Sequence, residues 1–288
     1  IKVARTVAER PYPLRHPEKI EAMRVILDDL LKQGVVVPSR NSAFRSPALL
    51  VPKKYAPGAP IHERWRFVVD YRSLNASTLP NAYQPPPVDS VINLVSGCRY
   101  ISLLDSKKAF WMLALNEEDG SSEASTFVVP QRGAFRFTRV VMGLRNASSV
   151  FQRFQDSVLA GALLTYAASY VDDLIVWSKS IEEHYEHLQY VFLRCLRHGI
   201  TLNLKKSRFF CTEPTEFLGM YVDGEGVSPC PRLMQGIDSL GHPTSVKDLR
   251  AALGLFGYHR RFIRNYAEKV FLLNEAVKRG EGFSGLSK

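Results

Sequence analysis

The stretch Tyr170-Val171-Asp172-Asp173-Leu174-Ile175-Val176-Trp177 constrains this chain more than any other. Val, Ile and Trp favour a pleated, half-buried surface, whereas adjacent aspartates favour a tight turn. The segment therefore reads as a β-hairpin that lifts two carboxylates, Asp172 and Asp173, at its turn. A third carboxylate, Asp105, ends another apolar run, Tyr100-Ile101-Ser102-Leu103-Leu104, with the character of a buried strand. Each acidic turn alone would signify only turn chemistry. Together, three carboxylates at neighbouring strand ends make an oxygen-rich site suited to hard divalent cations such as magnesium. Cation pairs held this way activate a hydroxyl nucleophile and stabilise a departing pyrophosphate during in-line phosphoryl transfer.

Charge narrows the class of partner. The 288 residues carry a net charge of +10 and a pI near 9.5, which favours a polyanion. No apolar run reaches the roughly 18 residues needed to span a bilayer, so no membrane partner is expected. The longest candidate, Leu159 to Val171, is interrupted by Thr165 and Tyr166. Cys98, Cys195, Cys211 and Cys230 lack a pairing pattern and read as the reduced thiols of an intracellular protein. The chain opens at Ile1 with neither an initiator Met nor a signal peptide, and reads as a piece of something longer.

Periodicity gives the elements. Ile20, Met23, Leu27, Leu30 and Leu31 recur on one face of an amphipathic helix from His16 to Leu31, with Gly34 as its stop. A short helix follows over Pro87 to Ser96. The region Trp111 to Thr138 reads as strand-rich. Ser148 or Ser149 could cap a helix carrying Val150, Phe151, Phe154 and Val158. A longer helix spans Ile181 to His198, with Tyr185, Leu188, Val191, Phe192, Cys195 and Leu196 expected inward. His184 and His187, beside Glu182, Glu183 and Glu186, read as part of its solvated face. Ile200 to Leu204 reads as a strand, and Ser245-Val246-Lys247-Asp248 as a capping box opening a last helical region. Helices mixed with mainly antiparallel hairpins define an α+β fold.

Several further motifs carry a resemblance. Trp65-Arg66-Phe67-Val68-Val69-Asp70-Tyr71-Arg72-Ser73-Leu74-Asn75, Leu104-Asp105-Ser106-Lys107-Lys108-Ala109-Phe110-Trp111, Gly143-Leu144-Arg145-Asn146-Ala147 with Phe151-Gln152, Phe217-Leu218-Gly219, and Leu253-Gly254-Leu255-Phe256-Gly257-Tyr258-His259-Arg260-Arg261-Phe262-Ile263 occur in that order. In sequence and spacing they resemble the reverse transcriptase of gypsy-like LTR retrotransposons, over nearly the whole chain. The resemblance implies a right-hand polymerase whose antiparallel palm sheet packs on helices. Fingers would take 1–80 and 114–147, palm 81–113 and 148–227, and 228–288 the thumb and the start of the following connection.

The same resemblance implies an RNA-directed DNA polymerase that extends a primer on an RNA or DNA template with deoxynucleoside triphosphates. Two magnesium ions, replaceable by manganese, would be bridged by Asp105 and Asp172, with Asp173 in support. Arg66 is the expected clamp on the triphosphate, because a planar guanidinium meets phosphate oxygens bidentately. Lys53 or Lys54 would add a point charge. Phe110 would lie under the deoxyribose and exclude a 2′-hydroxyl, and Gln152 would approach the nucleotide. Leu218 and Gly219 would bring backbone to the primer end. Tyr258, Arg260, Arg261 and Arg264 interleave aromatics and cations as backbone-tracking surfaces do. Lys108 and Ala109 stand where the family has Ser-Gly, while Val141, Met142 and Ser148 replace a typical Pro, Phe and Pro. These departures raise an alternative, a catalytically decayed or domesticated nucleic-acid-binding scaffold. The parent polyprotein would supply protease, RNase H and integrase, and would act in the cytoplasm or within virus-like particles.

Overall fold

In the computed structural model, which describes residues 1–279, the chain begins with helix α1 (Pro17–Lys32) and strands β1 (Val36–Pro38), β2 (Ser46–Pro52) and β3 (Trp65–Val69). Next come α2 (Arg72–Ser77), α3 (Val88–Val95), β4 (Tyr100–Asp105), α4 (Ser121–Ala124), β5 (Phe127–Val129) and β6 (Gly133–Phe137). Then follow α5 (Ala147–Val158), β7 (Ala167–Tyr170), β8 (Asp173–Ser178), α6 (Ile181–Arg197) and β9 (Arg208–Cys211). The last strands are β10 (Thr215–Phe217), β11 (Met220–Val222) and β12 (Val227–Pro229), before α7 (Pro231–Asp238), α8 (Val246–Tyr258) and α9 (Tyr266–Arg279). The expected final segment runs on to residue 288, and its last nine positions lie outside the described residues.

The strands form three sheets, ordered β1-β6-β5-β2-β3, β7-β8-β4-β9 and β10-β11-β12. Every pairing is antiparallel except β2 with β5. The architecture is therefore the expected α+β. Strand alternation then decides what each face of the middle sheet meets. Ile101, Ile175 and Trp177 turn one way and pack with Val91, Ile92 and Val95 of α3 and with Phe217, Met220 and Val222. Leu104, Leu174 and Val176 turn the other way, onto Leu188, Val191 and Cys195 of α6 and Val158 of α5. A separate core joins α1 to the five-stranded sheet and includes Phe110 and Phe151.

Some local expectations give way. Ile200 to Leu204 is not a strand; Leu202 makes a single bridge to Ser106, because Asn203 turns the chain by accepting from the amides of Lys206 and Ser207. The strand that pairs with β4 is β9, a few residues later. Trp111 to Thr138 holds only the short β5 and β6, with α4 between β4 and them. Helix α5 starts after Asn146 rather than at a serine cap. The Asn146 amide is committed elsewhere, donating to the Leu79 carbonyl and accepting from the Asn81 amide. On α6 the buried seam is His184, Leu188, Val191 and Cys195, whereas Tyr185 and Leu196 are exposed. The helix is rotated so that His184 enters the core, which serines on β4 and β8 make possible. Its start is a capping box between Ser180 and Glu183, and Ser245 caps α8 as expected.

Candidate functional site

The register of the middle sheet assembles the acidic site. Asp105 at the end of β4 lies directly opposite Asp173 at the start of β8. Directly opposed residues point to the same face, so both carboxylates share the face that carries Ile101 and Trp177. Asp172 is one residue earlier, in the two-residue turn Val171-Asp172 that links Tyr170 to Asp173. Only one of the paired aspartates is thus in the turn proper; the other opens a strand. Val171 holds a φ of 53°, a left-handed angle that β-branched residues rarely adopt. Strain of this kind persists only where surrounding bonds over-determine it.

Gln152 supplies that restraint. Its Oε1 accepts from the Val171 amide at 2.8 Å. Its Nε2 donates to the Ser169 carbonyl, the Ser169 hydroxyl and Asp156 Oδ1 at 2.8–2.9 Å. The side chain is fully buried. Both ends of the amide are thus engaged beneath the Val171-Asp172 turn. Asp156 in turn accepts from the Tyr83 hydroxyl.

The electrostatics are those of crowded anions. Burial, and then the charge of Asp105, raises the Asp172 carboxyl above the usual range. Burial, followed by Asp105 and Asp172, does the same to Asp173. Asp172 Oδ1 is buried and finds no hydrogen-bond partner in the protein. An uncompensated anionic oxygen is costly, and a hard cation is the natural compensation. Lys206 Nζ lies 4.0 Å from Asp105 Oδ1 on a side chain 69% exposed, and Arg208 lines the same cleft. Sequence reading missed Lys206; the signal available was its place in the Lys205-Lys206 pair, in the turn that leads into β9. Among the described residues no three carboxylate, imidazole or thiol groups converge into a closed cation cage.

A cleft of about 120 Å³ joins the acids to the next hairpin, lined by Asp105, Asp173, Lys206, Glu216, Phe217 and Leu218. Phe217 pairs with Met220, so Leu218-Gly219 forms the two-residue loop of β10–β11. Both residues have positive φ, 47° and 69°, the signature of a type I′ turn. The Tyr258 hydroxyl, from the end of α8, donates to the Leu218 carbonyl. Arg260 and Arg261 do not simply face solvent: both lie 3.6 Å from Asp89 on α3, and Arg261 also donates to Asn93 at 2.8 Å. Arg264 is exposed.

The remaining expected residues are more distant in the fold. Arg66 on β3 pairs with Val51, which brings it near Lys53, and Lys53, Lys54 and Arg66 are all exposed. Arg66 belongs to the five-stranded sheet, and Lys53 and Lys54 to the loop that leaves it, rather than to the sheet with the acids. Phe110 is 7% exposed and packs on Phe151, with ring centroids 5.4 Å apart. Lys108 takes a φ of 53°, reaches Gln33 at 2.7 Å and lies over the Trp111 ring. The larger cavity, about 550 Å³, includes Thr78, Asn81, Arg145 and Arg153 and shares no residue with the acidic cleft.

An α+β hand with paired acids on a central antiparallel sheet and a tight hairpin across a cleft defines the polymerase fold. Residues 51–222 match the family described as reverse transcriptase (RNA-dependent DNA polymerase). The chain belongs to the reverse transcriptase family, a family of nucleotidyltransferases, within its gypsy-like LTR retrotransposon branch. It is 34% identical over 95% of its length to the Pol polyprotein from transposon 297 of Drosophila melanogaster, and 33% identical over 88% to that from transposon gypsy. It spans about a quarter of the length of these relatives, 25% and 24%. Among solved structures it resembles a foamy viral protease–reverse transcriptase in complex with double-stranded DNA, with TM-score 0.79, 27% identity and coverage of 97% of this chain and 47% of the other. The foamy viral protein in complex with an RNA/DNA hybrid gives TM-score 0.77 and 26% identity, covering 97% and 36%.

Proposed function

We propose that this chain extends a primer with deoxynucleotides on an RNA or DNA template, using Asp105, Asp172 and Asp173 as the acidic centre. The observation that carries the reading is the opposition of Asp105 and Asp173 in a cleft that reaches Leu218, with the buried, unpartnered Asp172 Oδ1 one residue away in the turn. Magnesium is ordinarily held by one or two carboxylates plus substrate phosphates and water, so a closed three-residue cage is not required. Asp105 and Asp172 would hold the ions and Asp173 would add charge; manganese, another oxygen-seeking ion, would substitute. When bound, the pair supplies activation of a primer hydroxyl and charge neutralisation of the departing pyrophosphate. Gln152 keeps the Val171-Asp172 turn in its strained form, and Lys206 offsets repulsion among the acids.

The other residues take roles consistent with their exposure. Lys53, Lys54 and Arg66 are free to meet a triphosphate, Arg66 bidentately. Phe110, braced by Phe151, is stiff enough to act as a sugar gate. Leu218 and Gly219 present backbone across the cleft. In this reading 1–80 and 114–147 act as fingers, 81–113 and 148–227 as palm, and the rest as thumb. Within the parent polyprotein, protease, RNase H and integrase lie outside this chain.

The departures at Lys108, Ala109, Val141, Met142 and Ser148 favour a second reading, a nucleic-acid-binding scaffold that no longer polymerises. Single-nucleotide extension of a primer on RNA with magnesium separates the two. The polymerase reading expects incorporation by the natural chain and a loss of at least about a hundredfold, worth some 2.7 kcal/mol of barrier, in Asp172→Asn. Asn suits the turn, so folding and duplex binding should persist. Duplex binding without extension by the natural chain establishes the scaffold instead.

A further inference from the structure

The cations at the end of α8 are already engaged by an anion. Asp89 Oδ2 lies 3.6 Å from Arg260 and Asp89 Oδ1 lies 3.6 Å from Arg261. One carboxylate thus sits between two guanidinium groups that follow each other in sequence. Both separations exceed a normal hydrogen bond, so neither arginine makes the bidentate contact that a guanidinium makes with a well-seated oxyanion. Asp89 is about half exposed and Arg260 is 65% exposed, and loose pairs in that setting are weak. A phosphodiester, with the same charge and more reach, would satisfy the pair better.

The surroundings point the same way. Next to these arginines, His259 is 2% exposed, and neither of its ring nitrogens has a partner in the protein. A buried imidazole without partners marks a seat held at a cost. The Tyr258 hydroxyl ties the same segment to the Leu218 carbonyl beside the acidic cleft. The segment from 258 to 261 is therefore held at the Leu218 carbonyl by Tyr258 and on α3 by Asn93, while its contacts to Asp89 are loose.

We propose that Asp89 is an internal competitor of the nucleic-acid backbone: it masks a two-arginine phosphate site at Arg260 and Arg261, and duplex binding displaces it. This rests on the nucleic-acid-binding part of the reading above. The competitor sets how tightly the duplex is held and keeps the site charge-balanced when no duplex is bound.

The test is equilibrium binding of a fluorescent primer–template duplex, without nucleotide, to the natural chain and to Asp89→Asn across roughly 50–200 mM salt. Asp89→Asn should bind about three- to tenfold more tightly at the low end, with a slope of log affinity against log salt steeper by up to about 0.9, one phosphate contact. Asp28→Asn, a charge-matched change on α1 beside Arg24 and Arg132, should not reproduce the effect. In an Arg260→Ala, Arg261→Ala background the gain from Asp89→Asn should vanish. Asp89 also stands in the first turn of α3, where an acid favours the helix. Lower thermal stability with unchanged affinity and slope would make Asp89 a helix-terminal acid only and overturn the proposal. Equal gains from Asp28→Asn would overturn it too, by reducing the effect to net charge. Failure of the natural chain to bind any duplex would remove both this inference and the reading on which it rests.

Discussion

His184 is fully buried, between Ser102 Oγ at 2.7 Å on its Nε2 and Ser178 Oγ at 2.8 Å on its Nδ1. Ser178 also meets His187 Nδ1, which lies 3.3 Å from the Trp177 carbonyl. A carbonyl only accepts, so His187 Nδ1 carries the proton and Ser178 accepts it, donating its own to His184 Nδ1. His184 then carries its proton on Nε2 and donates to Ser102. Burial, with His187 as a lesser cause, pushes His184 from 6.5 down to about 4. Between those values the unfolded chain binds a proton that the folded chain refuses. Stability should therefore be full above about pH 6.5 and fall as the pH drops toward 4, by on the order of 3 kcal/mol. Urea midpoints of the natural chain and of His184→Gln over this window check the expectation, since the two curves should converge at low pH. Asp70, held well below the usual carboxylate range by the Arg72 guanidinium, loses its contribution only below about 3.8. The raised Asp172 and Asp173 oppose the His184 effect at the acid end, so the difference between the natural chain and His184→Gln is the quantity that reports it. Phe110 offers a second residue-scale test. Phe110→Val should cost about 2 kcal/mol of stability by emptying the space against Phe151. It should also raise the ratio of kcat/KM for ribonucleotides over deoxyribonucleotides. A stability loss with no movement of that ratio assigns Phe110 to the core alone.

At the scale of elements, α5 and the β7–β8 hairpin act as one unit. The strain at Val171 is held by Gln152, which is itself held by Ser169 and Asp156. Gln152→Leu conserves much of the volume but leaves the Val171 amide without its acceptor and Asp156 with one donor fewer. The expected loss is about 2 kcal/mol, read as a fall of several degrees in Tm. Relaxation of the turn would move Asp172, so kcat for nucleotide addition should fall by more than affinity for duplex changes. Equal kcat in a destabilised variant would show that the strained turn matters for folding and not for chemistry. The β10–β11 hairpin is simpler: Gly219 meets the left-handed requirement of its turn freely, while Leu218 meets it at a cost.

Over the whole molecule, the helices after β12 meet the rest of the described chain at the Leu218 turn, at α3 and through an ion pair from Arg232 to Glu216 on β10. Tyr258 connects the first of these contacts, from α8 to a carbonyl at the rim of the acidic cleft. Tyr258→Phe keeps the ring and removes the hydroxyl. The expected outcome is faster dissociation of primer–template, by several-fold, with single-turnover nucleotide addition nearly unchanged. Product-length distributions under single-encounter conditions provide the measurement, and unaltered lengths would show that the hydroxyl does not couple the two parts.

Much of this was legible along the chain because the signals are local. Apolar runs bounded by Asp105 and Asp173, the helix after Ser180 and the cap at Ser245 each follow from residues within a few positions of one another. Order and spacing of motifs were enough to identify the family. What lay outside local reach depended on partners far away in sequence. Gln152 reads as a surface or pocket amide until Ser169 and Val171 are brought against it. His184 reads as solvated until Ser102, 82 residues earlier, supplies a partner. Arg260 and Arg261 read as free cations until α3 presents Asp89. The sequence by itself determined the apolar runs that carry the three aspartates and the chemistry those acids imply. Tertiary packing decided which polar groups stay free for a ligand, because a side chain's hydrogen-bonding capacity is spent on whatever the fold brings within about 3 Å of it.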